Sequence, residues 1–198
     1  MKRVIIDKKQ THFIGCWNLE NNELCKKITK FFDNNVDLQI QGTTAKGVDI
    51  KKKKTTDIPI NPKDLNNPKF EIFKLYIGEL FNCFSDYKNQ WPFLKSMINK
   101  VDVPGFNIQK YSRGDHFAVQ HCERASISSI HRLFAWMTYL NDVDDGGYTN
   151  FSHYDIKIKP EIGKTLIWPA EWTHAHSGEI LKSGTKYIVT GWIHFPNT

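Results

Sequence analysis

Two short clusters stand out among the eight histidines of this 198-residue chain: His121-Cys122-Glu123 and His174-Ala175-His176. Imidazole and carboxylate are both good ligands for a first-row metal. Alternate residues on a strand point to one face, so His121 and Glu123 can reach one ion together. His174 and His176 offer two further imidazoles in the same way. Two histidines and one carboxylate fill three corners of an octahedron and leave three open. That donor set suits a non-haem iron that must also take a chelating co-substrate and oxygen. Spacing alone leaves His174 and His176 open as the second imidazole. A lone H-x-E is common by chance, so the weight rests on what surrounds it.

The elements that must carry these residues lie in the second half. From Phe106 onward, β-branched and aromatic runs alternate with turn residues. Strands are expected over 106–111, 117–121, 133–140, 156–158, 165–168 and 186–195. Arg113-Gly114-Asp115, Asp145-Gly146-Gly147, residues 160–163 and Ser183-Gly184 supply turns between them. Many short strands with regular turns predict a sandwich or barrel. A double-sheet jelly roll has a mouth where ligands sit. The fold class is therefore α+β and mainly β, a double-stranded β-helix with supporting N-terminal helices.

The first half reads as that support. Phe13, Ile14 and Trp17 suggest a short strand or apolar entry segment. Asn21 or Asn22 can cap a helix that places Leu24, Ile28 and Phe31 or Phe32 on one face. Residues 39–64 are polar and read as a long loop with one short strand at 58–60. Loops of that length are often functional, and this one is expected near the active site. Asn67 and Pro68 suit the start of a second helix. Its stripe is Phe73, Ile77, Leu80, Phe84 and Tyr87, and Pro92 should end it.

Bulk properties narrow the class. The length fits one domain over residues 1–198, with helical support and loop in 1–100 and the catalytic core in 101–198. The chain is 40% hydrophobic and 24% charged, with no apolar run of membrane-spanning length. Val4, Ile5 and Ile6 are too few for a signal-peptide core, so a cytoplasmic location is expected. The four cysteines, Cys16, Cys25, Cys83 and Cys122, form no C-x-x-C pair and read as free thiols. Formal charge is +6, part of it in the lysine run 51–54. Such a run is usually a solvated segment, with an acidic substrate or nucleic acid as the sharper alternative. No interleaved aromatics support nucleic-acid binding.

The order of motifs resembles one family. The chain reads Tyr111-Ser-Arg-Gly114, His121-Cys-Glu123, Arg132, Tyr139-Leu-Asn141 and Gly146-Gly-Tyr-Thr149-Asn-Phe151. It continues with Lys159-Pro160-Glu-Ile-Gly163, Trp168-Pro169, His176-Ser-Gly178 and Gly184-Thr-Lys186. This sequence of motifs resembles the prolyl 4-hydroxylase-like branch of the iron(II)/2-oxoglutarate dioxygenases, over about residues 106–195.

The resemblance implies roles for these residues. His121, Glu123 and His176 would be the metal ligands, His176 because it matches H-x-G and precedes Lys186 by the family's interval. His174 would then stand behind the site or on its substrate side. Lys186 would pair with the far carboxylate of 2-oxoglutarate. Tyr139 would add a hydrogen bond to that carboxylate, Tyr111 would line the pocket, and Thr149 and Trp192 would form its wall. The family's carboxylate ligand is Asp, whereas this chain has Glu123, about 1.5 Å longer in reach.

The implied cofactors are Fe(II), 2-oxoglutarate and O2, with ascorbate as an optional reductant. The implied reaction is hydroxylation of a C–H bond with release of succinate and CO2. Peptidyl proline or another amino-acid residue leads as substrate. A free amino acid or other small molecule follows, and nucleic acid comes last. Glu123 motivates a second reading, a non-redox metal-binding jelly roll or pseudoenzyme. Oligomeric state is not legible.

Overall fold

The structure is a computed structural model that describes residues 1–7, 11–44 and 47–196. Its strands are β1 (Lys2–Arg3), β2 (Gly15–Asn18), β3 (Ile40–Gln41), β4 (Thr56–Ile60), β5 (Phe106–Tyr111) and β6 (Phe117–His121). They continue with β7 (Arg132–Tyr139), β8 (Thr149–Phe151), β9 (Ile156–Ile158), β10 (Lys164–Pro169), β11 (His176–Gly178) and β12 (Lys186–His194). The helices are α1 (Asn22–Asn34), α2 (Glu71–Gln90) and α3 (Pro92–Met97).

Two antiparallel sheets form. The major sheet runs β1-β2-β10-β7-β12-β5-β4-β3, and the minor sheet runs β6-β11-β8-β9. This is the expected jelly roll: mainly β, two layers, no closed barrel.

The period-2 alternation of the major strands sorts their side chains between two cores. On β7, Phe134 and Trp136 join the helix-side core, while Ala135, Met137 and Tyr139 face the minor sheet. On β12, Tyr187, Val189 and Ile193 go to the helices and Ile188 to the space between the sheets. The helices cover the first face. Leu24, Ile28 and Phe32 of α1 and Phe73, Tyr76, Leu80, Phe84 and Tyr87 of α2 form their stripe. Phe73 is fully buried and meets Phe31 and Phe106 edge-on, with centroids 5.0 and 5.7 Å away.

Local chemistry sets the helix ends. Asn21, rather than Asn22, caps α1, its side chain accepting from Leu24 N–H at 3.1 Å. Asn67 and Pro68 open a 3-10 turn, Pro68–Phe70, instead of the α-helix, which begins at Glu71. Tyr76 joins the expected stripe fully buried, its hydroxyl donating to Thr138 Oγ1 at 2.7 Å, while Ile77 packs half-buried against the same core. Pro92 ends one helix and starts the next, since a proline suits a first helical position.

The long polar segment is more ordered than its composition suggests. β3 and β4 pair as a hairpin at the edge of the major sheet, and β4 spans Thr56–Ile60 rather than 58–60. Residues 45 and 46, in the connection, lie outside the described part. Among the described residues, no helix is long and apolar enough to cross a membrane.

Phe73→Ala removes the ring that joins both helices to β5. It should cost about 3–5 kcal/mol in urea denaturation. A loss under about 1 kcal/mol would mean that the helix layer is not anchored there.

Candidate metal centre

β6 and β11 are neighbours in the minor sheet, and His121 is the register partner of His176. Pairing thus brings together two residues separated by 55 positions of chain, with ring centroids 4.4 Å apart. Each ring is then aimed by its own backbone. His121 Nδ1–H donates to Val119 O at 2.8 Å, and His176 Nδ1–H donates to His174 O at 2.9 Å. Both Nε2 atoms then point at one place, each a metal donor when its ring is neutral. Phe117 stacks on His121 at 3.9 Å and further fixes that ring.

Glu123 completes the group from outside the strand. β6 ends at His121, so the strand-face argument for His121 and Glu123 does not describe the real backbone. The chain bends, and the N–H groups of Glu123 and Arg124 both donate to Ala170 O, at 3.2 and 3.0 Å. Glu123 Oε1 lies 3.3 Å from His176 Nε2 and 3.7 Å from His121 Nε2. The three donors lie within 4.8 Å of one another, and they form the one such cluster found among the described residues. Two ligands about 2.1 Å from an ion at right angles sit about 3 Å apart. The donor set and its spacing therefore fit a hexacoordinate divalent iron.

The electrostatics agree with that use. Burial, helped by the charge of His176, pushes the His121 imidazole down to about 4, so it stays neutral. Burial alone would raise Glu123, but the hydrogen bond and charge of His176, then His121 and the Trp192 N–H, outweigh it and hold the carboxylate ionised.

Of the other expected residues, Lys186, Tyr111, Thr149 and Trp192 lie along one cavity of about 610 Å³, which the three donors also line. Lys186 is 3% exposed, donates to Gly147 O at 2.9 Å and rests over the Tyr111 ring at 4.1 Å. Burial presses its ammonium down to about 7, with the charge of Glu179 working against the shift. Gly147 has φ +66°, and a Cβ there would stand 3.2 Å from Lys186 Cδ and 3.1 Å from Leu181 Cδ1. Glycine leaves room for the lysine stem. Thr149 lines the cavity, but Tyr139 stands behind it, its hydroxyl paired with Thr149 Oγ1 at 2.6 Å. Tyr111 lines the cavity with its ring and sends its hydroxyl to Gln109 Oε1 at 2.9 Å. His174 is separate: its Nε2–H donates to His12 O at 2.8 Å. Its contribution to the site is its carbonyl, which holds His176.

Several lining residues carry no motif. Asn107 and Gln109 share the cavity face of β5 with Tyr111, and Thr190 shares that of β12 with Lys186. Period-2 extrapolation from Tyr111 and Lys186 could have found them. Arg132 also lines the cavity. Trp192 is more than wall, because its Nε1–H donates to Glu123 Oε2 at 2.6 Å.

The lysine run is mostly neutralised. Lys52 pairs with Asp49 at 2.9 Å, Lys53 with Asp57 at 2.7 Å and Lys54 with Asp115 at 2.9 Å. Lys53 and Asp57 are both buried, which corrects the expectation of a purely solvated segment. Asp57 also accepts from Thr55 Oγ1 at 2.7 Å and Gln109 Nε2 at 3.2 Å. The run thus ties the loop to β4 and β5, because a buried ammonium needs a paired carboxylate.

Residues 106–194 match the model of the 2OG-Fe(II) oxygenase superfamily. That match covers the β-rich second half of the chain. The individual likenesses are to prolyl hydroxylases. Probable prolyl 4-hydroxylase 9 of Arabidopsis thaliana is 27% identical over an alignment covering 50% of this chain and 43% of that protein. The chain thus spans less than half the length of that curated relative. Three solved structures share the oxygenase fold. The viral collagen prolyl hydroxylase of Paramecium Bursaria Chlorella virus-1, as a 2OG complex, has TM-score 0.67 and 17% identity over 98% of this chain and 100% of its own. The prolyl-4-hydroxylase of Pseudomonas putida has TM-score 0.71 and 14% identity, covering 94% and 95%. The prolyl hydroxylase of Trichoplax adhaerens, in complex with a hypoxia inducible factor oxygen degradation domain peptide fragment, has TM-score 0.69 and 16% identity, covering 93% and 84%.

Asp57→Asn would leave the Lys53 ammonium buried beside an amide. A loss of about 3–5 kcal/mol is expected in thermal or denaturant unfolding. An unchanged midpoint would show that the pair does not hold the loop.

Proposed function

We propose that this chain is an iron(II)- and 2-oxoglutarate-dependent hydroxylase of prolyl residues in peptides. One observation carries the reading: His121, Glu123 and His176 converge on the cavity that also holds the buried ammonium of Lys186. A metal-chelating keto acid with a second carboxylate needs both features, a metal at one end and a cation at the other.

His121 Nε2, His176 Nε2 and one oxygen of Glu123 would hold the iron. Bound iron, with O2 and 2-oxoglutarate, would supply the oxidising power for C–H hydroxylation, with succinate and CO2 released. The protein's own work is binding and shielding. Lys186 pairs with the far carboxylate, with Thr149 beside it and the Tyr111 ring beneath the ammonium. Met137, Trp168 and Ile188 line the cavity with apolar surface that limits water. Ascorbate would serve as a reductant.

The substrate side supports a neutral residue. Lys52, Lys53 and Lys54 are each paired with aspartate, which leaves little free charge for nucleic acid or an acidic ligand. Val119, which is exposed, gives that side an apolar surface suited to a pyrrolidine ring. The Trichoplax relative, seen with a peptide fragment, supports a peptide over a free amino acid. The thiols suit a reducing compartment, and we place the protein in the cytoplasm on that ground.

Succinate formation from 2-oxoglutarate, with Fe(II) and ascorbate, should rise when proline-rich peptides are added, and the peptide should gain one oxygen atom. The His176→Ala variant should give neither. Wild-type succinate no higher than that variant's, with every peptide tried, would defeat the proposal.

Lys186 makes binding of 2-oxoglutarate depend on pH. Its ammonium is depressed to about 7 by burial in the free protein. A bound carboxylate raises that pKa, so binding takes up a proton when the pH exceeds about 7. Affinity should be level below that point and weaken above it, by up to about tenfold per pH unit. Calorimetry of the Mn²⁺-loaded protein at pH 8, in buffers of different ionisation enthalpy, should register this uptake. A wild type showing no more uptake than Lys186→Met would remove Lys186 from the binding step.

A further inference from the structure

We propose that Trp192 and Arg132 act as a clamp that holds Glu123 by one oxygen and leaves the other as a single metal donor. The inference rests on the metal reading above and specifies how a glutamate serves there. Glu123 Oε2 accepts from Trp192 Nε1–H at 2.6 Å, while Oε1 faces the two histidines at 3.3 and 3.7 Å. One carboxylate therefore spans two separate partners. A charge-assisted bond of this kind in a buried setting is among the stronger hydrogen bonds.

The indole is held in turn. The Arg132 guanidinium lies over its ring at 3.7 Å. The same guanidinium donates from Nη1 to the Glu123 carbonyl at 2.9 Å and stands 3.9 Å from Oε2. Arg132 and Trp192 sit on neighbouring strands of the major sheet, β7 and β12, whereas Glu123 follows β6 of the minor sheet. The clamp thus joins the sheets at the metal centre.

Length makes the glutamate specific to this arrangement. Glutamate has one more torsion than aspartate, and fixing it costs side-chain entropy. The Trp192 bond restricts that freedom and occupies the oxygen that would otherwise allow bidentate binding. An aspartate on the same backbone, about 1.5 Å shorter, reaches the histidine side or Trp192 but not both. Trp192 and Arg132 are positioning residues here, acting on the metal through Glu123.

Mn²⁺ binding followed by electron paramagnetic resonance, without 2-oxoglutarate, tests this apart from turnover. Wild type should bind Mn²⁺, and His176→Ala should not. Trp192→Phe keeps the packing but lacks the donor, and should bind roughly 10–100-fold more weakly. In a Glu123→Asp background the same change should add less than about twofold, since the shortened side chain has already lost the clamp. If Trp192→Phe does not fold, Arg132→Met, which retains apolar contact with the indole, should weaken binding in the same direction. Wild-type affinity in whichever of these two variants folds overturns the clamp and leaves the metal reading intact. Losses that multiply in the double variant do the same. A wild type that binds no Mn²⁺ overturns both.

Discussion

The pairing of β6 with β11 is the constraint on which the site depends. It makes His121 and His176 register partners and brings their rings within 4.4 Å. A slip of one residue would turn either imidazole to the other face of the minor sheet. The pairing is short, and β11 has only three residues. Its register is reinforced from outside: β8 pairs on its other edge, and Phe151 packs against both Trp168 and His176. The backbone carbonyls of Val119 and His174 then select the imidazole tautomer. Order in the candidate donors is thus inherited from sheet hydrogen bonding rather than from any one strong contact.

The major sheet serves two purposes because its strands alternate. Odd-numbered β12 residues, such as Tyr187 and Val189, bind the helix layer, and even-numbered ones, such as Lys186 and Trp192, line the cavity. The helices therefore matter to the chemistry without touching it. They bury one face of β5, β7 and β12 and so fix where the other face presents its polar groups. The low exposure of Lys186 follows from this placement, and so does its readiness to meet a carboxylate. An ammonium held among Tyr111, Gly147 and apolar neighbours is poorly solvated until a counter-charge arrives.

The glutamate that departs from the family pattern finds its explanation in the same geometry. Backbone bonds to Ala170 pull Glu123 off the line of β6, and Trp192 receives its second oxygen. The longer side chain fits because the strand does not continue through it. The lysine run shows a parallel lesson. Residues that look like a free basic patch are distributed among Asp49, Asp57 and Asp115, and one of them is buried.

The amino-acid sequence by itself determined the jelly-roll class and most of the long strands, and it singled out the two histidines and one carboxylate that the fold brings together. Those features rest on local alternation, turn residues and an ordered series of motifs, all of which are properties of neighbouring positions. It did not disclose β8 or β11, because Thr149–Phe151 and His176–Gly178 are as short as Ile156–Ile158 but lack its pair of β-branched apolar residues flanking a polar one. Nor did spacing choose between His174 and His176, which sit two apart. The H-x-G motif and the interval to Lys186 favoured His176, and the tertiary structure supplies the physical reason, closing a 3-10 turn at His174 that turns its ring to His12 while β11 aims His176 at His121. The partners of Glu123 and of Lys53 were likewise hidden. A hydrogen bond between residues 69 positions apart, as from Trp192 to Glu123, exists only once the two sheets have packed.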